Sequence, residues 1–314
     1  MKSTKRKIFS SFLLAFVFVA AAFIGVFHAE SLGLNLREEL VCTQVVSNES
    51  DIINMGGSFY NNICELANDI TVSELCMWNS KDKPFIGVFD GKGYTINVDN
   101  VDIQKSLFGY IGEGGVVKNL HINVLSSEAQ FDSKSGAIVA LENKGTIVDC
   151  KVTVNAEVSV GGKHGVIAAY NYGTIKNVFI DAKLKNTCLD NNGRRSNIGP
   201  VAAYNYGEIR SAVVYVQYTN FPETVKKNIY EGYTNVSVGS IYSINNGTVS
   251  NCVAVISDET YVADGDNLGI AFVDESNEAQ IFSAENLENK LGFDLERWIL
   301  SAGKLHLIPQ GEEE

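Results

Sequence analysis

The chain of 314 residues is 45% hydrophobic and 20% charged, which excludes an intrinsically disordered protein. Its formal net charge of −12 excludes nucleic-acid binding as a predicted function, because such a surface repels phosphate groups. With 13 Tyr and 16 Phe but only 4 Pro, the composition favours a fold rich in β-strands.

The N-terminal residues combine positive charge with a long apolar stretch. An uncharged run over residues 8–27 follows a cluster of basic side chains, those of Lys2, Lys5, Arg6 and Lys7. This order is typical of an export signal, and the run is also close to the roughly 20 residues that a membrane-spanning helix needs. We predict either a cleaved signal peptide or a retained N-terminal anchor over residues 1–31. Either one makes the remainder extracellular, secreted or anchored to the cell surface, with membrane contact only through an uncleaved segment.

Residues 32–72 are predicted to form a lead-in and an N-terminal cap. Asn48 and Ser50 are candidate N-caps for a short helix, which the glycines at 56 and 57 would end. After it, residues 62–72 alternate apolar and polar side chains as a strand does. Repeat proteins need atypical ends of this kind, because their terminal strands would otherwise be exposed.

The central part of the chain contains a repeated motif. The hexapeptide Ala-Ala-Tyr-Asn-Tyr-Gly occurs at 168–173 and again at 202–207, and its Asn-x-Gly core recurs with the asparagines Asn143, Asn171, Asn205 and Asn245. The interval between repeats grows along the chain while the motif stays constant. This is expected if strand–turn–strand units stack on one another and the extra residues leave the stack as loops. We predict a stacked β-domain over residues 73–257.

Columns of equivalent residues assign a structural role to each position of the repeat. Ile175, Val178 and Ile180 are predicted to point into the core, while Lys176 faces outward. The glycine of each Asn-x-Gly suits either a positive φ or a close approach of two backbones. A further column is predicted to form a bend whose polar side chains hydrogen-bond along the stack: Asp149, Asn177, Ser211 and Asn251.

Three segments ahead of these repeats carry a family resemblance. The sequences FIGVFDGKGYTI at 85–96, LFGYI at 107–111 and VKNL at 117–120 resemble the GLUG-repeat proteins of bacterial cell surfaces. The resemblance covers roughly residues 50–257, although the later repeats have weaker glycine–phenylalanine signatures and longer loops. It implies an all-β fold, a right-handed parallel β-helix (a solenoid) of the pectate-lyase type, here with short helical caps at the N- and C-terminal ends. It implies repeat-mediated roles at the cell surface and no catalytic residues.

Two insertions lengthen the later repeats, over residues 185–197 and 218–236. Their candidate binding side chains are Arg194, Arg195, Tyr230 and Tyr233. Loops that leave a rigid scaffold often carry binding residues, although plain surface elaboration explains the insertions equally well. Residues 258–314 are predicted to form a C-terminal cap. In it Ser283 caps a helix that Gly292 ends, and the last rung is covered by Phe293, Trp298, Ile299 and Leu305.

The six cysteines permit disulfides in an exported protein but do not require them. Cys150 and Cys252 share an inward column about 14 Å apart, which is too far for a bridge. A disulfide between two of the three cysteines near the N-terminal cap, Cys42, Cys64 and Cys76, is one alternative. Cys188 lies in a loop and has no evident partner in the sequence. The spacing of Cys and His predicts no zinc site, and no cofactor is predicted.

The tyrosines of the repeated hexapeptide are the best binding candidates. Tyr170 and Tyr204 share one column, and Tyr172 and Tyr206 share another. Alternation along the strand is expected to expose one of the two pairs, and an exposed pair could receive a sugar ring. Ring contact between neighbouring rungs explains the same columns without any ligand.

The predicted function is therefore an exported, non-catalytic β-helix scaffold or binding module at the bacterial cell surface. Its partner would be a cell-wall or host glycan, or another surface protein. The alternative is a carbohydrate-active β-helix enzyme, a polysaccharide lyase or hydrolase, which needs clustered acids. Asp90, Asp99 and Asp102 are the candidates for such a cluster, and finding them in a groove with a Lys or Arg would favour the enzyme.

Overall fold

The computed structural model describes residues 43–55, 61–75, 79–99, 102–103, 105–126, 129–131, 135–158, 162–186, 196–219, 236–256, 270–272, 282–301 and 304–309. These residues lie in one compact unit, Thr43–Glu314. The predicted signal peptide or anchor lies outside them, as do four candidate binding residues of the insertions, Arg194, Arg195, Tyr230 and Tyr233. Within the described ranges, no helix is long and apolar enough to cross a membrane.

The described part of the chain consists mainly of short strands. In chain order the strands are β1 (Thr43–Val46), β2 (Ile63–Leu66), β3 (Ile70–Val72), β4 (Val88–Asp90), β5 (Thr95–Val98), β6 (Asp102–Ile103), β7 (Phe108–Ile111), β8 (Val116–Lys118), β9 (His121–Val124), β10 (Ala129–Phe131), β11 (Ser135–Gly136), β12 (Ala140–Asn143), β13 (Thr146–Val158), β14 (Lys163–Gly165), β15 (Ala168–Asn171), β16 (Thr174–Asn186), β17 (Ser196–Gly199), β18 (Ala202–Asn205), β19 (Glu208–Thr219), β20 (Val236–Val238), β21 (Tyr242–Asn245), β22 (Thr248–Ser250), β23 (Cys252–Ile256), β24 (Ile270–Phe272), β25 (Trp298–Ser301) and β26 (Lys304–Leu307). The helices are α1 (Glu49–Asn54) and α2 (Ala284–Asn289).

These strands form a parallel β-helix, which confirms the predicted fold class. Among the described residues, a 15-stranded sheet runs in the order β1-β2-β4-β8-β13-β16-β19-β23-β24, with the shorter strands of the same rungs beside it. A 5-stranded sheet (β21-β18-β15-β12-β7) and a 4-stranded sheet (β11-β14-β17-β20) form the other sides. The stack begins earlier than the sequence suggested, because β1 pairs in parallel with β2 inside the expected lead-in.

The columns inferred from the sequence are strand pairs in the structure. Ile147 pairs with Ile175, Ile175 with Ile209, and Ile209 with Val249. The three isoleucines are fully buried in the main core, at 0% exposure. The inward and outward assignment along the repeats is thereby confirmed, since one residue of slip would have exposed the whole column.

An amide ladder runs through the core at the Asn-x-Gly turns. Asn143, Asn171 and Asn205 are fully buried, and the Nδ2 of each donates to the Oδ1 of the next. The distances are 2.8 Å, 2.8 Å and 2.7 Å, the last of them to Asn245. The ladder therefore satisfies amides whose burial without hydrogen bonds would be costly.

The sequence left two roles open for the turn glycines, close backbone approach and positive φ. In the structure the turn glycines allow close approach, and the residues of the bend column adopt positive φ. A Cβ at Gly173 would lie 2.1 Å from the carbonyl oxygen of Gly145, so the glycine is needed for close backbone approach. Positive φ occurs instead in the bend column, at Asp149 (52°), Asn177 (51°), Ser211 (56°) and Asn251 (52°). Asn and Asp tolerate this region better than other side chains do. The predicted hydrogen bond along this column exists between Asn177 Nδ2 and Asp149 Oδ1, at 3.2 Å.

The short helices have the predicted caps. The side chain of Asn48 accepts from the backbone N–H of Asp51, and Asp51 accepts in return from the backbone N–H of Asn48, which makes a capping box. Ser283 caps α2 by accepting from the backbone N–H of Asn286. Gly292, with a φ of 68°, follows that helix.

The segment that follows the β-helix packs along its side. We call residues 282–301 and 304–309 the C-terminal strap. A second core cluster joins its Leu287, Phe293 and Trp298 to outward-facing side chains of β16, β19 and β23, namely Phe179, Val213 and Val253. The C-terminal segment was expected to cover the last rung, but it packs laterally along several rungs. Ile299, which was expected to cover the last rung, is 53% exposed because its side chain faces away from the sheet.

Three cysteines of the described residues are buried, Cys64, Cys150 and Cys252, and of these Cys64 and Cys150 are free thiols. The inward column of Cys150 and Cys252 is confirmed. Cys64 takes no part in the bridge that was left open near the N-terminus, while Cys42 and Cys76 lie outside the described residues. Burial raises the pKa of Cys64 and of Cys150 to about 12, so both thiols stay protonated at neutral pH.

The amide ladder makes a prediction about stability. Asn171→Ala leaves the buried Asn143 amide without its acceptor and opens a small cavity, so we expect a loss of about 2–4 kcal/mol. The matched control is Asn245→Ala, which also removes an acceptor, that of Asn205, but at the exposed end of the ladder, where water can replace it, so we expect a loss below about 1 kcal/mol. Urea unfolding followed by circular dichroism measures both. Equal losses would show that the buried amides do not stabilise the stack.

Candidate functional site

Four tyrosine rings form a continuous patch on two neighbouring rungs. Tyr170 at the end of β15 pairs in register with Tyr204 of β18, and their ring centroids are 5.6 Å apart at an interplanar angle of 27°. Tyr172 and Tyr206 follow the laddered asparagines directly, with centroids 4.9 Å apart and planes within 7° of parallel. The two columns also touch, since the centroids of Tyr204 and Tyr206 are 6.2 Å apart. We call these four residues the tyrosine ladder.

Both columns of the tyrosine ladder lie outside the core. Tyr172 and Tyr206 are 45% and 41% exposed, and Tyr170 and Tyr204 are half-buried at the surface. One pair, Tyr172 and Tyr206, is thus exposed, as expected, while Tyr170 and Tyr204 lie on the same face and are half-buried, because residues two apart on a strand share a face. The hexapeptide alanines, in contrast, are fully buried: Ala168, Ala169, Ala202 and Ala203.

Two lysines border the tyrosine ladder. Lys163 Nζ lies 5.2 Å from the ring centroid of Tyr170 and 5.4 Å from that of Tyr204. Lys144 Nζ lies 5.8 Å from the centroid of Tyr172 and forms a salt bridge of 3.3 Å with Glu142. These distances are typical of cation–π contacts. The pKa of Lys163 is raised, first by a hydrogen bond with Tyr170.

The neighbouring rungs end the tyrosine ladder on both sides. Because Asn143 and Asn245 continue the asparagine register, the rung before the ladder places Lys144 next to Tyr172, and the rung after it places Asn246 next to Tyr206. The column of Tyr170 is likewise preceded by Glu142 and followed by Ile244. An aromatic surface of limited length is the result, with a cation at one end and an exposed amide at the other.

A polar wall adjoins the half-buried column. The hydroxyl of Tyr204 donates to Asn197 Oδ1 at 2.8 Å, and Asn197 Nδ2 lies 3.1 Å from Ser243 Oγ. Asn197 occupies, on β17, the position that Lys163 holds on β14. Sequence reasoning missed both residues, although extending the hexapeptide alignment backwards to Gly165 and Gly199 would have found them.

A separate group of charges surrounds Asp90. Its Oδ1 accepts from the backbone N–H of Lys92 and from Asn119 Nδ2, both at 2.9 Å. Its Oδ2 lies 3.4 Å from Lys118 Nζ and 3.9 Å from Lys92 Nζ, and Lys92 also pairs with Glu65 at 3.0 Å. Two acids are thus gathered with two lysines. The 5% exposure of Asp90 and its four polar contacts, however, are typical of a structural ion pair.

The other two candidate carboxylates of the sequence are Asp99 and Asp102. Asp99 is exposed, and the side chain of Asp102 lies outside what the structure describes. No cluster of three or more His, Cys, Asp or Glu side chains suited to a metal occurs within the described ranges.

The C-terminal strap covers a row of ionisable groups on the outer face of the β-helix. His121 lies between two hydroxyls, with Nδ1 3.1 Å from Thr95 Oγ1 and Nε2 3.2 Å from Thr153 Oγ1. Lys151, only 6% exposed, places its Nζ 3.1 Å from Nδ1 of His306 in the strap. Such a contact needs a neutral His306 that accepts from the ammonium.

Burial and neighbouring charges perturb all three groups of this row. The pKa of His121 falls to about 3, first because burial disfavours the charged ring and then because of Lys151 and His306. Burial is also the main cause that lowers the pKa of His306 and of Lys151. Among the described residues, the carboxylate of Asp181 opposes this by raising the pKa of Lys151. Asp181 also pairs with Lys304 of the strap.

These directions predict that acid weakens the fold. Both histidines have folded-state pKa values below the usual 6.5, so their neutral rings stabilise the protein above pH 6.5. That contribution is lost as the pH falls from about 6.5 towards 3. Between pH 7 and pH 5 we expect roughly 1–2 kcal/mol to be lost in the wild-type protein. The double variant His121→Asn, His306→Asn should show a flatter profile.

Urea-unfolding midpoints at the two pH values test this prediction. Glu49 and Asp51 also have lowered pKa values, because of hydrogen bonds from Ser73 and from Ser47 respectively. Their contributions, however, are lost only at more acid pH, since the unperturbed values are 4.5 and 3.8. An unchanged slope between pH 7 and pH 5 in the double variant would contradict the assignment to the histidines.

Comparison with known proteins supports the fold and leaves the family open. The chain matches no protein-family model, and no curated protein matches it. A crystal structure of a "putative immunoglobulin A1 protease" from Bacteroides ovatus is similar, with a TM-score of 0.56 and 18% sequence identity, over 84% of this chain and 91% of that chain. Likeness at this identity shows the β-helix fold alone. The resemblance to GLUG-repeat proteins therefore stays a prediction beyond its β-helix component.

Proposed function

We propose that this protein is an exported β-helix module that binds a carbohydrate at the cell surface through its tyrosine ladder, without catalysing a reaction. The observation that carries the proposal is the parallel, solvent-facing stack of Tyr172 and Tyr206. Aromatic rings that are rigid and half-exposed contact the apolar faces of sugar rings at little cost in side-chain entropy. Export is supported by the N-terminal sequence.

The scaffold supports a binding role because it holds the rings in place. Each tyrosine follows or precedes a buried asparagine, so backbone hydrogen bonds and the amide ladder fix its position before any ligand arrives. The exposed faces are limited to two rungs, which suits one or two sugar residues of a chain. The exposed amide of Asn246 at the rim is the kind of polar group that orients sugar hydroxyls.

A glycan array probed with the full chain tests the proposal. We expect the wild-type protein to bind one group of glycans, and Tyr172→Ala with Tyr206→Ala to weaken that binding by about tenfold or more, or ~1.4 kcal/mol. Tyr110→Ala is the matched control, because Tyr110 lies in the same outer column two rungs before Tyr170 and lies outside the ladder. Binding that is equal in all three proteins would rule out the tyrosine ladder as the site.

A carbohydrate-active enzyme is the second candidate, favoured by the group of Glu65, Asp90, Lys92 and Lys118. The name of the Bacteroides ovatus protein refers to a protease, which catalyses a different reaction. At 18% identity, the likeness to that protein supports only a shared scaffold. A reducing-end assay on polysaccharides separates the candidates. Turnover by the wild-type chain that Glu65→Gln abolishes, in a folded variant, would favour the enzyme over the binding module.

A further inference from the structure

Lys163 reaches the tyrosine ladder through a sharp bend in the chain. Gly165 ends β14, and a Cβ at this position would lie 1.8 Å from the carbonyl oxygen of Ala168, so the bend depends on glycine. The bend turns β14 back towards β15 and brings the ammonium against the rings of Tyr170 and Tyr204, at 5.2 Å and 5.4 Å from their centroids. The cation thus contacts two rungs at once.

This ammonium has no carboxylate partner in the part of the chain that the structure describes. Other lysines there do form salt bridges, among them Lys92, Lys118, Lys144 and Lys304. The difference matters in a chain with 37 acidic and 25 basic residues, where a carboxylate would be easy to supply. At the other end of the tyrosine ladder, Glu142 pairs with Lys144 and offsets its charge. The positive charge beside the rings is therefore concentrated at Lys163.

We propose that Lys163 gives the tyrosine ladder a preference for sugars that carry an anionic substituent, a carboxylate or a sulfate. This inference rests on the proposed function and specifies its ligand class. The rings contact the apolar face of the sugar, while the ammonium donates a charge-assisted hydrogen bond to the anionic group. Because two aromatic faces already hold the ammonium in place, little side-chain entropy is lost when the ligand binds.

The next rung explains why one residue sets the preference. The strand position of Lys163 is taken there by Asn197, whose side chain is engaged by Tyr204 and Ser243. Asn197 is neutral, and its Oδ1 already accepts a hydrogen bond from the tyrosine hydroxyl. This buried, engaged amide adds no preference for charge. One anionic group for each bound segment is the expected stoichiometry.

Binding of matched glycan pairs to the full chain tests the inference. The probes are polygalacturonate and its carboxyl-reduced form, 3′-sialyllactose and lactose, and dextran sulfate and dextran. We expect the acidic member of at least one pair to bind about fivefold to tenfold more tightly, with a preference that declines as salt is added. The carboxylate and sulfate pairs show which anionic group is recognised.

Three variants assign the preference to its residue. Lys163→Gln should bind the acidic and neutral members equally, whereas Lys163→Arg should keep most of the preference. The matched control is the double variant Lys144→Gln, Glu142→Gln, which removes an ion pair with no net charge and should leave the preference unchanged. Circular dichroism checks that each variant is folded. If Lys163→Gln does not fold, two other measurements test the inference. They are whether Lys163→Arg keeps the preference and whether added salt lowers the preference of the wild-type protein.

The outcomes separate this inference from the proposed function. Equal binding of acidic and neutral members overturns the inference but leaves glycan binding intact. A preference that persists in folded Lys163→Gln also overturns it. Failure of every glycan on the array to bind overturns the proposed function, and the inference with it.

Discussion

Hydrogen bonds between buried asparagine amides set the register on which the rest of this structure depends. Each amide in the series Asn143, Asn171 and Asn205 donates to the next, so a shift of one residue would leave several polar groups buried and unsatisfied. The register therefore survives although the loops between rungs become longer. Because Tyr172 and Tyr206 directly follow two of these asparagines, the same hydrogen bonds align their rings.

A second polar column has two structural uses. Asp149 and Asn177 adopt positive φ and turn the chain between two sides of the β-helix. Their side chains also meet the C-terminal strap, since Trp298 Nε1 donates to Asp149 Oδ1 and Asn177 Nδ2 donates to the carbonyl of Gly292. Arg297 adds contacts to Asp149 and Asn119. The strap is thus held by the bends themselves, and its hairpin of β25 and β26 places His306 against Lys151.

The two faces of the stack consequently differ in what they offer to a ligand. The outer face of β13, β16 and β19 is occupied by the strap, which buries Phe179, Val213 and Val253. The tyrosine ladder lies on β15 and β18 and remains exposed, with an ammonium beside it and no strap over it. This contrast supports the binding role proposed for the ladder, because an aromatic surface that the strap leaves uncovered is accessible to a ligand.

The sequence by itself determined the stacking columns, because the Asn-x-Gly turn, the inward isoleucines and the helix caps are local patterns whose spacing is enough to predict them. It predicted that one tyrosine pair is exposed but did not determine which pair, because the two pairs share a face and only their surroundings in the fold make Tyr170 and Tyr204 half-buried. Tertiary structure alone decided three matters: the approach of Lys163 to the rings through the bend at Gly165, the free thiol of Cys64, and the lateral course of the strap. An apolar segment such as the one around Trp298 can be buried over an end of the stack or along its side. Only the complementary surface of the folded stack selects between these two positions.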